Sequence, residues 1–182
     1  MTANSVDMLV ERFENPMILP INGKPTYVTI HAMHALLNSN AASVNTNFGC
    51  GTLIHFCLTL SPTVCVTLSA TWVVPPRNPG VTHVIPLGAT GLKSASILYT
   101  HNAARHAFKI FRNIYLALWK QLIGAIEDNL VWVNHRTHQR YSGSSTVDLL
   151  THLYDTYTVI SNTDWCANNK RFREVYTPHQ PH

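Results

Sequence analysis

Between Lys24 and Arg77 the chain contains no Asp, Glu, Lys or Arg, and charged residues make up only 12% of the whole. So little charge beside 46% hydrophobic residues excludes a disordered polyelectrolyte and implies a chain that buries a core. Lys and Arg are spread thinly, so the net charge of +4 does not describe a dedicated nucleic-acid binder and is compatible only with a weak RNA contact. The Cys residues stand at 50, 57, 65 and 166, and no two have the short gap of a zinc knuckle or redox motif. They read as free thiols in a reducing, cytoplasmic setting, and the start MTANSVDMLVERFENP has no apolar h-region. Internal repeats and low-complexity runs are absent, which excludes solenoids and biased linkers.

The uncharged stretch raises the question of a membrane span. Residues 53 to 74 are numerous enough to cross a bilayer, and a single-pass membrane protein is one alternative reading. Against it, Pro62 falls mid-segment, His55 and several Ser and Thr interrupt the apolar run, and no basic cluster precedes it. A helix pair broken at Ser61-Pro62 fits better, with Ser61 as N-cap and Pro62 as the first helical position.

What is present is helical periodicity. Residues 1–22 read as a loosely ordered lead-in, 23–176 as one helical domain and 177–182 as a tail. Turn chemistry at Ile21-Asn22-Gly23-Lys24-Pro25, with Pro25 in the first helical turn, opens a helix over about 26–39. From Ser39-Asn40 to Gly51 the composition reads as a loop. Alternation of Leu53, His55, Cys57 and Thr59 suggests a short extended piece at 52–59, followed by a helix over 62–70 that the prolines at 75, 76 and 79 end. Leu98, His101, Ala104, Phe108, Phe111, Tyr115, Leu118, Leu122 and Ile126 recur at three- and four-residue steps, predicting a helix over 91–130 that could break near Asn113. Ser145 with Asp148, and Ser161 with Asp164, each have capping-box spacing. The first opens a helix with the stripe Leu149, Leu150, Leu153 and Tyr157; the second opens a last helix carrying Trp165 and Phe172. The fold class is therefore all-α, with about five to six helices.

No constellation for chemistry emerges. His31/His34, His135/His138 and His179/His182 are H-x-x-H pairs with no third ligand at fixed spacing, and they read as core or surface histidines. Gly49-Cys50-Gly51 is too short for a phosphate loop. The acid pair Glu127-Asp128 has no partner base and reads as a solvated turn. The aromatics Phe108, Phe111, Tyr115 and Trp119 offer base-stacking faces, but their helical spacing fits a core. The sequence predicts no cofactor, no metal and no small-molecule substrate.

Taken in order, several segments resemble one family. These are GKPTYVTIHAMHALLNSNAASVNTNFGCG (23–51), LTLSPTVCVTLSATWVVPPRNPG (58–80), ALWKQLIGAIEDNLVWVNHRTHQRYSGSSTVDLLTHLYDTY (117–157) and SNTDWCANNKRFREVYTPHQP (161–181). They resemble the N-terminal capsid portion of Gag from copia-type LTR retrotransposons, in a truncated and divergent form. In that family a helix ending in an acid pair leads to an aromatic-Leu segment, a Gly-aromatic turn and a Leu-Leu-x-x-Leu-Tyr-x-x-Tyr helix. The matching positions here are Glu127-Asp128, Val131-Trp132, Tyr141 to Gly143, and Leu149 through Tyr157. The chain departs from the pattern at 48–56, and at Tyr157-Thr158, where the family has Tyr-Gly.

The resemblance implies a non-catalytic protein whose helical protomers self-associate into a capsid or virus-like particle. Its partners would be itself or full-length Gag. It implies a helix-holding core of Leu118, Leu122, Leu149, Leu150, Leu153, Tyr154 and Tyr157, with Trp165 and Phe172 anchoring the last helix. The other reading is a domesticated or remnant Gag fragment that acts as a soluble protein-interaction module.

Overall fold

A computed structural model describes residues 6–44, 51–68, 75–81, 84–126, 144–158 and 170. These residues form an all-α structure with no strand among them: α1 (Val6–Glu11), α2 (Tyr27–Ser43), a 3-10 helix (Gly51–Leu58), α3 (Pro62–Leu68), α4 (Gly91–Ala125) and α5 (Thr146–Tyr157). The expected last helix, with Trp165 and Phe172, lies outside the described residues, as do Glu127-Asp128 and the 177–182 tail.

Local chemistry sets where these helices start. Thr26 caps α2 in a capping box with Thr29, so the helix begins after Pro25, and Pro25 is buried just outside it instead of occupying the first turn. Gly23 takes φ 75, the left-handed conformation that the preceding turn requires. Val64 N approaches the Ser61 hydroxyl at 3.5 Å, and Pro62 is the first residue of α3. Ser145 and Asp148 form the predicted capping box of α5, with Asp148 N donating to Ser145 Oγ at 3.1 Å and Ser145 N donating to Asp148 Oδ2 at 2.8 Å. The Ser145 hydrogen bonds hold the Asp148 carboxyl below its ordinary range. At the other end Thr158 has φ −106, and its hydroxyl donates to Tyr154 O at 2.6 Å. A β-branched residue thus ends α5 without the positive φ that a glycine would supply.

Three expectations are corrected. α2 runs on to Ser43 instead of stopping near 39, because Asn40 and Ala41 continue the buried stripe of Ile30, Met33 and Leu37. Residues 51–58 are a 3-10 helix, not an extended piece: His55 and Leu58, three residues apart, are both buried, and i and i+3 eclipse in that helix. The segment set apart as a loose lead-in is packed, since α1 lies on α4 and Phe13 and Ile21 enter the core. Ile21 N also donates to Ala125 O at 2.8 Å, satisfying a carbonyl that the end of α4 leaves without an intrahelical partner.

α4 is continuous through Asn113 for 35 residues. At 1.5 Å per residue it is about 52 Å long. Its C-terminal half is the axis of the core: Ile114, Ala117, Leu118 and Leu122 have no exposed surface. α2, α5 and the 3-10 helix pack on it. Residues 53–68 of the candidate membrane segment are divided between the 3-10 helix and α3, and no helix among the described residues is long and apolar enough to cross a membrane.

Candidate functional site

Of the residues singled out from sequence, Leu118, Leu122, Leu149, Leu150 and Leu153 meet in one buried cluster with Ile30, Leu37 and Ile114. Tyr154 and Tyr157 are half-buried at its edge. Trp165 and Phe172 lie outside the described residues. Burial at this level makes each leucine worth about 2–5 kcal/mol against alanine, from lost transfer free energy and the cavity left behind.

Two polar clusters inside the core were not found from sequence. In the first, Asn40 on α2 and Gln121 on α4 reach each other and the backbone that follows α1. Asn40 Nδ2 donates to Asn15 O (2.8 Å) and to Gln121 Oε1 (2.9 Å), while Asn15 N donates to Asn40 Oδ1 (2.8 Å). Gln121 Nε2 donates to Asn15 O (3.0 Å) and Pro16 O (3.1 Å). Every donor and the acceptor of both buried amides is used, so the N-terminal segment is fixed against α2 and α4 in one register. Asn40 gave a usable signal, because it lies in phase with Ile30, Met33 and Leu37 on a face otherwise apolar.

The second cluster is built on histidine. His34 Nε2 donates to Thr59 O at 3.1 Å, which leaves Nδ1 to accept from the Tyr154 hydroxyl at 3.2 Å. One imidazole thereby ties α2 to α5 and to the turn after the 3-10 helix. Burial lowers the His34 pKa, opposed by the Thr59 hydrogen bond. His55, 1% exposed, lies 6.2 Å from the Phe111 ring, and burial lowers its pKa against the backbone carbonyls of Val44 and Ala41. Among the described residues no three His, Cys, Asp or Glu side chains gather where they could hold a metal ion. His31 stacks on Tyr27 (5.6 Å, 8°) instead of joining His34 at a common ligand position.

The surface has its own concentration of apolar groups. No residue of α4 before Ala107 is buried, and the segment leading into it is also open. Val81, Val84, Leu87, Leu92 and Tyr99 are each at least three-quarters exposed, with Leu87 and Leu92 at 106% and 85%. From Val81 to Tyr99 the only charged residue is Lys93. The first half of α4, about 24 Å long at 1.5 Å per residue, thus presents large apolar side chains that stay uncovered among the described residues.

Comparison with protein-family models, with curated proteins and with solved structures finds no match to this chain.

Proposed function

We propose that this protein is a non-catalytic, self-associating structural protein of the copia-type Gag capsid kind, working in the cytoplasm as a subunit of a particle. The observation that carries the reading is the uncovered apolar run from Val81 to Tyr99 at the start of a long helix. Large apolar side chains exposed in such number along one segment are the kind that protein–protein contact covers. A second copy of the chain, or full-length Gag, is the partner. The order and spacing of the Gag-like segments support the same reading, including the Leu149–Tyr157 stripe that α5 lays on α2 and α4.

Sedimentation velocity at rising protein concentration tests it. The wild-type chain forms oligomers or particles, and the double variant Leu92→Ser/Tyr99→Ser remains monomeric with an unchanged circular dichroism spectrum. A wild-type chain that stays monomeric at every concentration overturns the reading. Adding the chain to assembling full-length Gag then separates a subunit, which co-assembles, from an interfering fragment, which stops particle growth.

A further inference from the structure

The face of α4 turned away from the core carries a different chemistry. At about 100° per residue, Arg105, Lys109 and Arg112 lie roughly opposite the buried Ile114 and Leu118. All three cations are exposed. Together with the segment around Asn78 they line a half-open cavity of about 580 Å³, a volume in the range of small-molecule sites. Phe108 and Leu116 form its apolar wall. Phe108 is half-buried there and is not among the residues of the hydrophobic core, although its spacing in the sequence reads as core.

The charge around this cavity is of one sign and confined to it. The sequence has no Asp or Glu from Asn15 through Ile126. Among the described residues no carboxylate pairs with Arg105, Lys109 or Arg112. These cations form an island on α4: no Lys or Arg stands from Ser94 to Ala104 or from Asn113 to Trp119, and Lys120 beyond is paired with Asp7. At 1.5 Å per residue the island spans about 10 Å of the helix. A polymeric anion, whether a nucleic acid or an acidic peptide, needs a basic track that follows its backbone. A short island in a concave wall suits a compact anion that carries several charges.

We propose that this cavity binds a di- or triphosphate group, free or carried on a small molecule, with Arg105, Lys109 and Arg112 sharing its oxygens. Phosphoryl groups in a row crowd several anionic oxygens into a short length. Each guanidinium fork can take two of them, and the lysine ammonium between the forks serves as a point charge. The apolar wall of Phe108 and Leu116 lowers the local dielectric and so strengthens each contact. The described residues that line the cavity offer no carboxylate, hydroxyl or thiol, so the lining supplies binding and no side-chain nucleophile of those kinds. The overall scarcity of Lys and Arg conceals the site, because its three cations come together only through helical spacing. The inference does not depend on assembly: a chain that stays monomeric at every concentration and binds triphosphate overturns the capsid reading and upholds this one.

Isothermal titration calorimetry of the full chain with sodium triphosphate at low salt is the test. Triphosphate saturates a single site per chain, and inorganic phosphate binds it at least roughly tenfold more weakly. Arg105→Gln/Lys109→Gln/Arg112→Gln loses saturable binding with an unchanged circular dichroism spectrum. Each single variant weakens binding on the order of tenfold, whereas the control Lys24→Gln/Lys93→Gln retains it. ATP separates the two sources of the group: affinity equal to that of triphosphate assigns the site to the phosphate chain alone, and a gain that Phe108→Leu removes assigns it to a nucleoside-borne chain. Failure to saturate, or equal losses in the cavity and control variants, overturns the proposal. So does displacement of triphosphate by oligouridylate or polyglutamate at a lower concentration of charge, which assigns the cavity to a polymer.

Discussion

From Ala107 to Ala125, α4 buries seven residues, three of which (Ile114, Leu118 and Leu122) are large aliphatics with no exposure; from Gly91 to His106 it buries none, and Leu92 and Tyr99 stand 85% and 78% exposed. The two halves belong to one uninterrupted helix. The first half is the less apolar, 7 of 16 residues against 13 of 19, but it still carries the exposed Leu92, Leu98 and Tyr99, so the contrast does not come from hydrophobicity alone. It comes from partners: α1, α2, α5 and the 3-10 helix supply contacts to α4, and its first half has no buried position against any of them. The open half is helical because propagation from an existing helix adds one hydrogen bond for each residue fixed, while Thr90, accepting from Lys93 N at 3.4 Å, caps its start. One half of α4 is therefore a stability element, and the other stays uncovered among the described residues.

Leucine truncation breaks this comparison most directly. Leu118→Ala lowers the unfolding free energy by about 3–5 kcal/mol in urea denaturation followed by circular dichroism, whereas Leu92→Ala shifts it by less than about 0.5 kcal/mol. Equal losses would mean that the first half also holds the fold together. Next in size is the amide cluster: Asn40→Ala leaves Asn15 N and Gln121 Oε1 without partners and costs about 1–3 kcal/mol. Its effect sharpens the comparison, since it also raises hydrogen exchange in residues 6–21, which the cluster fixes to α4. Ser145→Ala removes the α5 cap and costs about 1 kcal/mol by the same urea titration.

The smallest effect is a pH dependence confined to the packed half. His34 and His55 both have folded pKa values depressed below the ordinary 6.5 by burial, so near and below that pH the unfolded chain binds protons that the folded chain refuses. Their contribution is fully present above pH 6.5 and is lost as pH falls from there toward the folded values. Asp148 acts lower on the scale, because its depressed carboxyl loses its contribution only as pH falls below 3.8. Thermal melts from pH 8 to 5 therefore show a falling Tm, and His34→Gln flattens the curve. A Tm that rises on acidification rules out the buried neutral form of these imidazoles.

Features that a few neighbouring residues decide were legible in the sequence. The start of α5 follows from Ser145 and Asp148, and that of α3 from Ser61-Pro62, since each cap is closed within four positions. The continuity of the apolar stripe along α4 was readable in the same way. Illegible were the packed residues 6–21, the 3-10 geometry at 51–58 and the end of α2. Each depends on a partner remote in sequence, as with Ile21 on Ala125 or Asn40 on Gln121. The periodicity around Phe108 misled for a related reason: a helical stripe shows that a face is apolar without showing whether another helix covers it.

By itself, then, the order of residues determined that this chain is helical, where several of its helices begin and which leucines share a stripe, because caps, prolines and 3.6-residue periodicity act over a few bonds. Tertiary structure alone decided which half of α4 is covered, how Asn40 and Gln121 satisfy each other, and that Arg105, Lys109 and Arg112 face a cavity. Burial and concavity arise between segments, and the free energy of contacts between distant segments is set only when the chain has brought them together.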